Sequence, residues 1–477
     1  MSQHFEVISR REQGLHKALS AGQMTMIAIG GAIGTGLFLG SSFAIGLAGP
    51  SVLISYAIGG LIALLLMGCL AEMTVAHPTS GSFGAYAEHY IGPWAGFLVR
   101  YAYWACVVLA VGTEVTAIGV YMSYWFPDSP QWLWVLLFSA ALVVVNGLSV
   151  KAFGFVEYWF SMIKIVAIAA FIVIGAYVVF GSRPPGIGAS NYGAHGGFFP
   201  NGPWGTWVAV VVAIFSYMSI EAIAVAAGEA KDPERAVTRA FRATIARLLV
   251  FYLASIALML AIVPWNSTQA DKSPFVKVME IIGIPGAAEV INFVVLIAAL
   301  SAMNSLLYTS TRMMFSLSRA GYAPARFGRI RANGVPVDAL AASCAGIAVA
   351  TLLSVLAPEQ SFVLMMAISM FGAMFTWFMI FVTHWFFRRA WVAQGLPRPS
   401  FRMRGFPWLT LLGAGLMLAI LVTTAFTPMF RLTLMVGVPL VIGLLGVYAI
   451  WYRPRQAGTA GAQEREPEST LTISSGQ

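Results

Sequence analysis

Ile29-Gly30-Gly31-Ala32-Ile33-Gly34-Thr35-Gly36-Leu37-Phe38 lies inside the first long apolar segment of the chain, and its reading decides the fold. Glycine in a helix interior costs about 1 kcal/mol relative to alanine, so a cluster of glycines makes a helix easy to break. In lipid a broken backbone is tolerated only where its freed N–H and C=O groups face protein, water or a ligand. A second polar, flexible stretch, Phe215-Ser216-Tyr217-Met218-Ser219-Ile220-Glu221, interrupts a later apolar segment. Paired interruptions in corresponding halves of a chain point to the binding site of a secondary transporter. Small residues four apart, such as Gly30 and Gly34, also serve close helix packing. Five glycines between residues 30 and 40, with a matching break further on, favour the interruption.

Working outward, composition sets the solvent. Hydrophobic residues make up 59% of 477 and charged residues 10%, far below the roughly 25% charged of a soluble domain. About twelve apolar runs are long enough to span a bilayer: roughly 22–45, 50–76, 94–124, 131–149, 155–181, 204–228, 241–263, 286–316, 337–356, 360–387, 406–427 and 431–452. The expectation is an all-α polytopic membrane protein. Its transmembrane domain covers 21–455, between a cytoplasmic segment 1–20 and a disordered cytoplasmic tail 456–477 rich in Gly, Ala, Ser, Thr, Glu and Gln.

The net charge of +9 is a topology signal. Arg10, Arg11 and Lys17 precede the first run; Lys231, Arg235, Arg239 and Arg242 follow the sixth; Arg319, Arg326, Arg329 and Arg331 follow the eighth. Arg388, Arg389, Arg398, Arg402 and Arg404 follow the tenth, and Arg453, Arg455 and Arg465 the last. The alternate loops hold Arg183, Lys272, Lys277 and Arg431. That alternation is the positive-inside rule for an even number of spans with both termini cytoplasmic. It leaves no basic patch calling for nucleic acid. The polar first twenty residues and the length of the first run do not read as a cleavable signal peptide. Cys69, Cys106 and Cys344 lie in or near spans and read as reduced thiols, and six scattered histidines offer no ligand pair. No metal or cofactor is expected, and no nucleophile beside a base suggests an enzyme.

Of the charges within spans three stand out: Glu114 in the third, Lys164 in the fifth and Glu221 in the sixth. Each costs at least about 2.5–3.5 kcal/mol at the bilayer centre and so needs a reason. A carboxyl or amine held out of water can exchange a proton near neutral pH, as coupling to a proton gradient requires. The alternatives are structural: Lys164 snorkelling from a helix end, Glu114 as half of an ion pair, Glu221 as acceptor for broken backbone N–H groups. Arg247 and Arg312 read as anchors at the cytoplasmic ends.

These stretches together resemble an amino acid permease of the amino acid–polyamine–organocation superfamily, in its bacterial amino acid transporter branch. The first-helix glycine run is similar to the family's signature. Ala48-Gly49-Pro50, Leu70-Ala71-Glu72-Met73, Pro78-Thr79-Ser80-Gly81-Ser82-Phe83, Ser149-Val150-Lys151-Ala152-Phe153-Gly154, Glu157-Tyr158-Trp159-Phe160, Gly228-Glu229-Ala230-Lys231-Asp232-Pro233-Glu234, Val263-Pro264-Trp265-Asn266 and Asn304-Ser305 follow in the family's order.

The resemblance implies two five-helix repeats of opposite topology, about 22–181 and 204–389, with broken helices 1 and 6 and peripheral helices at about 406–452. It implies an amino acid bound between the broken helices: its carboxylate on the amides of Gly34, Thr35 and Gly36, its ammonium near Ala32, Phe215 and Ser216, with Phe215 as an aromatic gate. It implies proton-coupled import across the bacterial cytoplasmic membrane, with Lys164 standing where sodium-coupled relatives bind a cation and Glu221 and Glu114 as further coupling candidates. Amino acid exchange without net proton movement is the alternative. Ser219 departs from the pattern, because close relatives carry glycine there. A hydroxyl at that point narrows the pocket or contacts the substrate.

Overall fold

The computed structural model describes residues 3–15, 17, 19–267, 272–397 and 399–453. The expected tail at 456–477 and the Arg247 side chain lie outside the described residues. Local sequence starts several helices. Ser20 and Gln23 form a capping box at the head of the first span, Ser149 accepts from the Ala152 amide at the head of the fifth, and Asp232 caps the seventh. Among the described residues there is no strand beyond a single bridge, Leu19 to Ala230.

Among the described residues ten helices are long and apolar enough to cross a membrane, and two shorter apolar helices, Gly22–Phe38 and Leu248–Ile262, complete twelve spans. Span 1 is half-helix 1a (Ala21–Ala32) followed by 1b, Thr35–Phe38 running on as Gly40–Ala48. Span 2 is Val52–Ala76, span 3 Pro93–Met122, span 4 Gln131–Leu148 and span 5 Val150–Ala176. Span 6 is half-helix 6a (Gly202–Tyr217) and 6b (Ala222–Ala226). Spans 7 to 12 are Pro233–Ile262, Ala287–Arg319, Val337–Leu356, Ser361–Ala393, Trp408–Phe426 and Arg431–Val447.

Packing follows the repeat. Span 1 lies against span 7 as span 6 lies against span 2, and span 3 against span 10 as span 8 against span 5. Span 6 is buried throughout its apolar window, whereas span 12 buries 11% of its own and stands at the periphery. Trp159, Val173, Leu356 and Ile442 are among many large apolar side chains left on the outside, the surface a lipid solvent accepts.

Candidate binding site

The two interruptions meet at the middle of the molecule. Ile33 (φ −85°, ψ 81°) and Gly34 (φ −124°, ψ −153°) leave the helix in span 1, and the chain re-enters it at Thr35. In span 6, Met218 (φ −58°, ψ 160°) is followed by Ser219 in the left-handed region at φ 73°. The broken segments approach too closely for side chains. A β-carbon on Gly36 would stand 2.6 Å from the Ser216 Cα, and one on Gly34 would stand 2.7 Å from the Ala302 Cβ and 3.0 Å from a Glu114 oxygen.

Ala32, Gly34, Gly36, Glu114, Phe215 and Ser219 line the cavity between the breaks. Its volume is about 10 Å³, room for about one water, so in this conformation the breaks leave no space for an amino acid. Among the described residues the Gly36 amide makes no hydrogen bond, which leaves a free donor at the start of 1b. The neighbouring Thr35 amide is taken: Glu114 accepts from it at 3.2 Å and from the Thr35 hydroxyl at 2.9 Å. A protein carboxylate thus already occupies part of the expected anion site.

The opposite ends are also bridged. The Tyr252 hydroxyl of span 7 lies 2.7 Å from both the Ala32 and the Ser216 carbonyl oxygens, so one proton is shared between the C-terminal ends of 1a and 6a. The Ser216 hydroxyl turns away, 3.0 Å from the Tyr56 hydroxyl.

Lys164 is fully buried and does not snorkel. Its ammonium donates to the Gly30 and Ile33 carbonyls at 2.6 and 2.9 Å and to the Ser301 hydroxyl at 2.8 Å. A cation there answers the negative end of the half-helix dipole. Ser301 in turn donates to Glu157 at 2.5 Å, Asn304 donates to the other Glu157 oxygen at 2.9 Å, and Asn146 donates to Asn304 at 2.7 Å. Glu157 was not singled out by sequence, although it precedes Lys164 by seven residues and so shares its helix face.

Glu221 belongs to a different environment. It accepts from Tyr103 at 2.7 Å, from Trp377 at 3.2 Å and from the Ser219 amide at 3.3 Å, and it does not line the cavity. This geometry matches its structural alternative, satisfying backbone freed by the break.

Arg312, read from sequence as an end anchor, is instead buried in an ion pair with Glu229 at 2.7 Å, its guanidinium 3.9 Å from the Tyr308 ring centre. Arg100, another in-span charge that sequence reading passed over, is buried between Glu12 and Glu88 at 2.9 and 2.8 Å.

Comparison with known proteins converges on one family. The amino acid permease family model matches residues 23–458. A gamma-aminobutyric acid permease of Bacillus subtilis is 40% identical over 458 residues, 95% of this chain and 97% of its own length. The aromatic amino acid transport protein AroP of Escherichia coli is 38% identical over 91% of this chain and 94% of its own. A probable threonine/serine transporter of B. subtilis is 38% identical over 89% and 92%.

Proposed function

The chain belongs to the amino acid permease family, a family of transporters and not of enzymes, and we propose that this member imports an amino acid by proton symport through alternating access. The proposed setting is a bacterial cytoplasmic membrane, with both termini and the arginine-rich loops on the cytoplasmic side. The observation that carries the coupling reading is Lys164, whose ammonium holds the Gly30 and Ile33 carbonyls where a metal cation would otherwise close the broken helix. Protonated, it ties span 5 to half-helix 1a; its deprotonation removes the charge that holds them.

The substrate carboxylate meets the free Gly36 amide and displaces Glu114 from the Thr35 amide. Its ammonium approaches the carbonyl ends at Ala32 and Ser216 that Tyr252 now bridges. The relatives carry the names of aromatic, hydroxylated and 4-aminobutyrate substrates. With Glu114, the acid on the cavity wall, engaged by Thr35 and with Ser219 also on the wall, a small neutral or hydroxylated amino acid fits best.

The test is uptake of labelled amino acids into proteoliposomes under an imposed pH gradient (acid outside) or sodium gradient. Accumulation driven by the pH gradient and lost in Lys164→Ala supports symport. Uptake that requires internal amino acid and ignores both gradients overturns it in favour of exchange.

A further inference from the structure

An apolar groove with a cationic rim lies away from the transport site, between spans 2, 7 and 11 on the face that carries the arginine-rich loops. Its volume is about 540 Å³, within the range of small-molecule sites. Leu64, Leu65 and Gly68 of span 2, Leu249 of span 7 and Leu409 of span 11 form its walls, and Arg402 and Arg404 stand at its mouth.

The rim is rigidly held. Glu72, buried in span 2, is paired with Arg388 at 3.1 Å and His384 at 3.0 Å, and accepts the Met403 amide at 3.1 Å. Arg388 donates back to the Met403 carbonyl at 2.9 Å. Met403 is buried, its sulfur 3.1 Å from the Cys69 thiol, and a β-carbon on Gly68 would stand 3.2 Å from that sulfur. Alternate residues of this non-helical segment face opposite ways, so pinning Met403 inward turns both Arg402 and Arg404 outward, and both are exposed.

The buried arginines of this face are matched. Arg100, Arg312 and Arg388 each have a carboxylate partner, whereas Arg402 and Arg404 form no ion pair among the described residues. Two unpaired guanidiniums over an apolar slot complement a molecule with an anionic head and hydrocarbon tail. We propose that this groove binds an anionic phospholipid, its phosphate on Arg402 and Arg404 and an acyl chain along Leu64, Gly68 and Leu249.

The test is native mass spectrometry of the full-length protein extracted from vesicles of phosphatidylglycerol mixed with phosphatidylcholine. Selective retention of phosphatidylglycerol is expected, weakened about 5-fold for each arginine replaced and so about 25-fold in R402Q/R404Q. R326Q/R329Q, on another loop of the same face, is expected to retain it as the wild type does. R402K/R404K, which keeps the charge, is expected to bind and serves if the glutamine variant fails to fold. Equal retention of phosphatidylcholine, undiminished binding by R402Q/R404Q, loss of binding by R402K/R404K, or displacement of the lipid by inorganic phosphate alone would each overturn the proposal.

Discussion

Ser219 sits at φ 73° with its side chain buried against the first-span break, a conformation in which a β-carbon costs about 1–2 kcal/mol. Ser219→Gly is therefore expected to stabilise the detergent-solubilised protein by about 1 kcal/mol, while Ser219→Ala keeps the strain. The same change removes a hydroxyl from the cavity wall, so the ranking of transported amino acids is expected to shift toward larger side chains. An unchanged ranking in a competition uptake assay would sink the specificity role.

Lys164 and Glu157 form the other residue-scale unit. Neither is replaceable singly, because each leaves a buried polar group stripped of its partner. Lys164→Ala is expected to abolish gradient-driven uptake while protein still reaches the membrane, measured by uptake normalised to surface expression.

At the scale of elements, four half-helix ends converge, and different groups hold them. Lys164 neutralises the carbonyl end of 1a from the span 5 side, Tyr252 staples 1a to 6a, and Glu114 covers the amide end of 1b. Tyr252→Phe removes the staple and leaves two carbonyls short of a donor. A loss of about 1–3 kcal/mol in unfolding free energy is expected, with faster leak between the two faces. Gly36→Ala forces a methyl against the Ser216 backbone. It is expected to cost about 1–3 kcal/mol and to suppress uptake more than a comparable change at Gly46, where an added β-carbon meets open space. Equal effects at the two glycines would show that the close crossing of 1b and 6a is not what transport needs.

Across the whole molecule, the arginine-rich face is closed by a latch that spans distant parts of the sequence. Glu12, just after the N-terminal helix Gln3–Arg11, reaches Arg100 at the foot of span 3, and the Ser316 hydroxyl of span 8 joins both. Glu88 completes it from the short helix Ser82–Tyr90, contacting Arg100 and Arg11. Leu19 pairs through its backbone with Glu229 and Lys231 at the end of span 6.

Burial pushes the Glu88 carboxyl up, and the Arg100 and Arg11 guanidiniums outweigh that and hold it below the usual carboxylate range. A depressed folded-state value means that the latch is at full strength above the unfolded value of about 4.3 and weakens as pH falls from there through the folded value. Protection of the N-terminal segment from protease is thus expected to be flat from neutral pH to about 4.3 and to fall below it. Arg100→Ala strands the buried Glu12 carboxylate and leaves Glu88 with Arg11 alone, and is expected to lower stability by about 3–5 kcal/mol in thermal unfolding.

Much of this architecture was legible in the linear chain. Each span carries its own length and hydropathy, so twelve spans could be counted from apolar runs alone. The breaks at Gly34 and Ser219 show in composition because backbone preference is a local property. The alternation of arginines between loops likewise needs no coordinates.

What only the tertiary structure decided is partnership. Glu114, Lys164 and Glu221 look alike in sequence as lone charges within apolar spans, yet one lies over the Thr35 amide, one caps 1a, and one is held by Tyr103 and Trp377 away from the cavity. The roles of Glu157, Tyr252 and Arg100 were not readable because what each does rests on groups more than eighty residues away, Ser301, Ala32 and Glu12 among them. The physical reason is common to all. A buried polar group takes its role from whichever donor or acceptor the fold brings within about 3 Å, and hydrophobic periodicity carries no record of that partner.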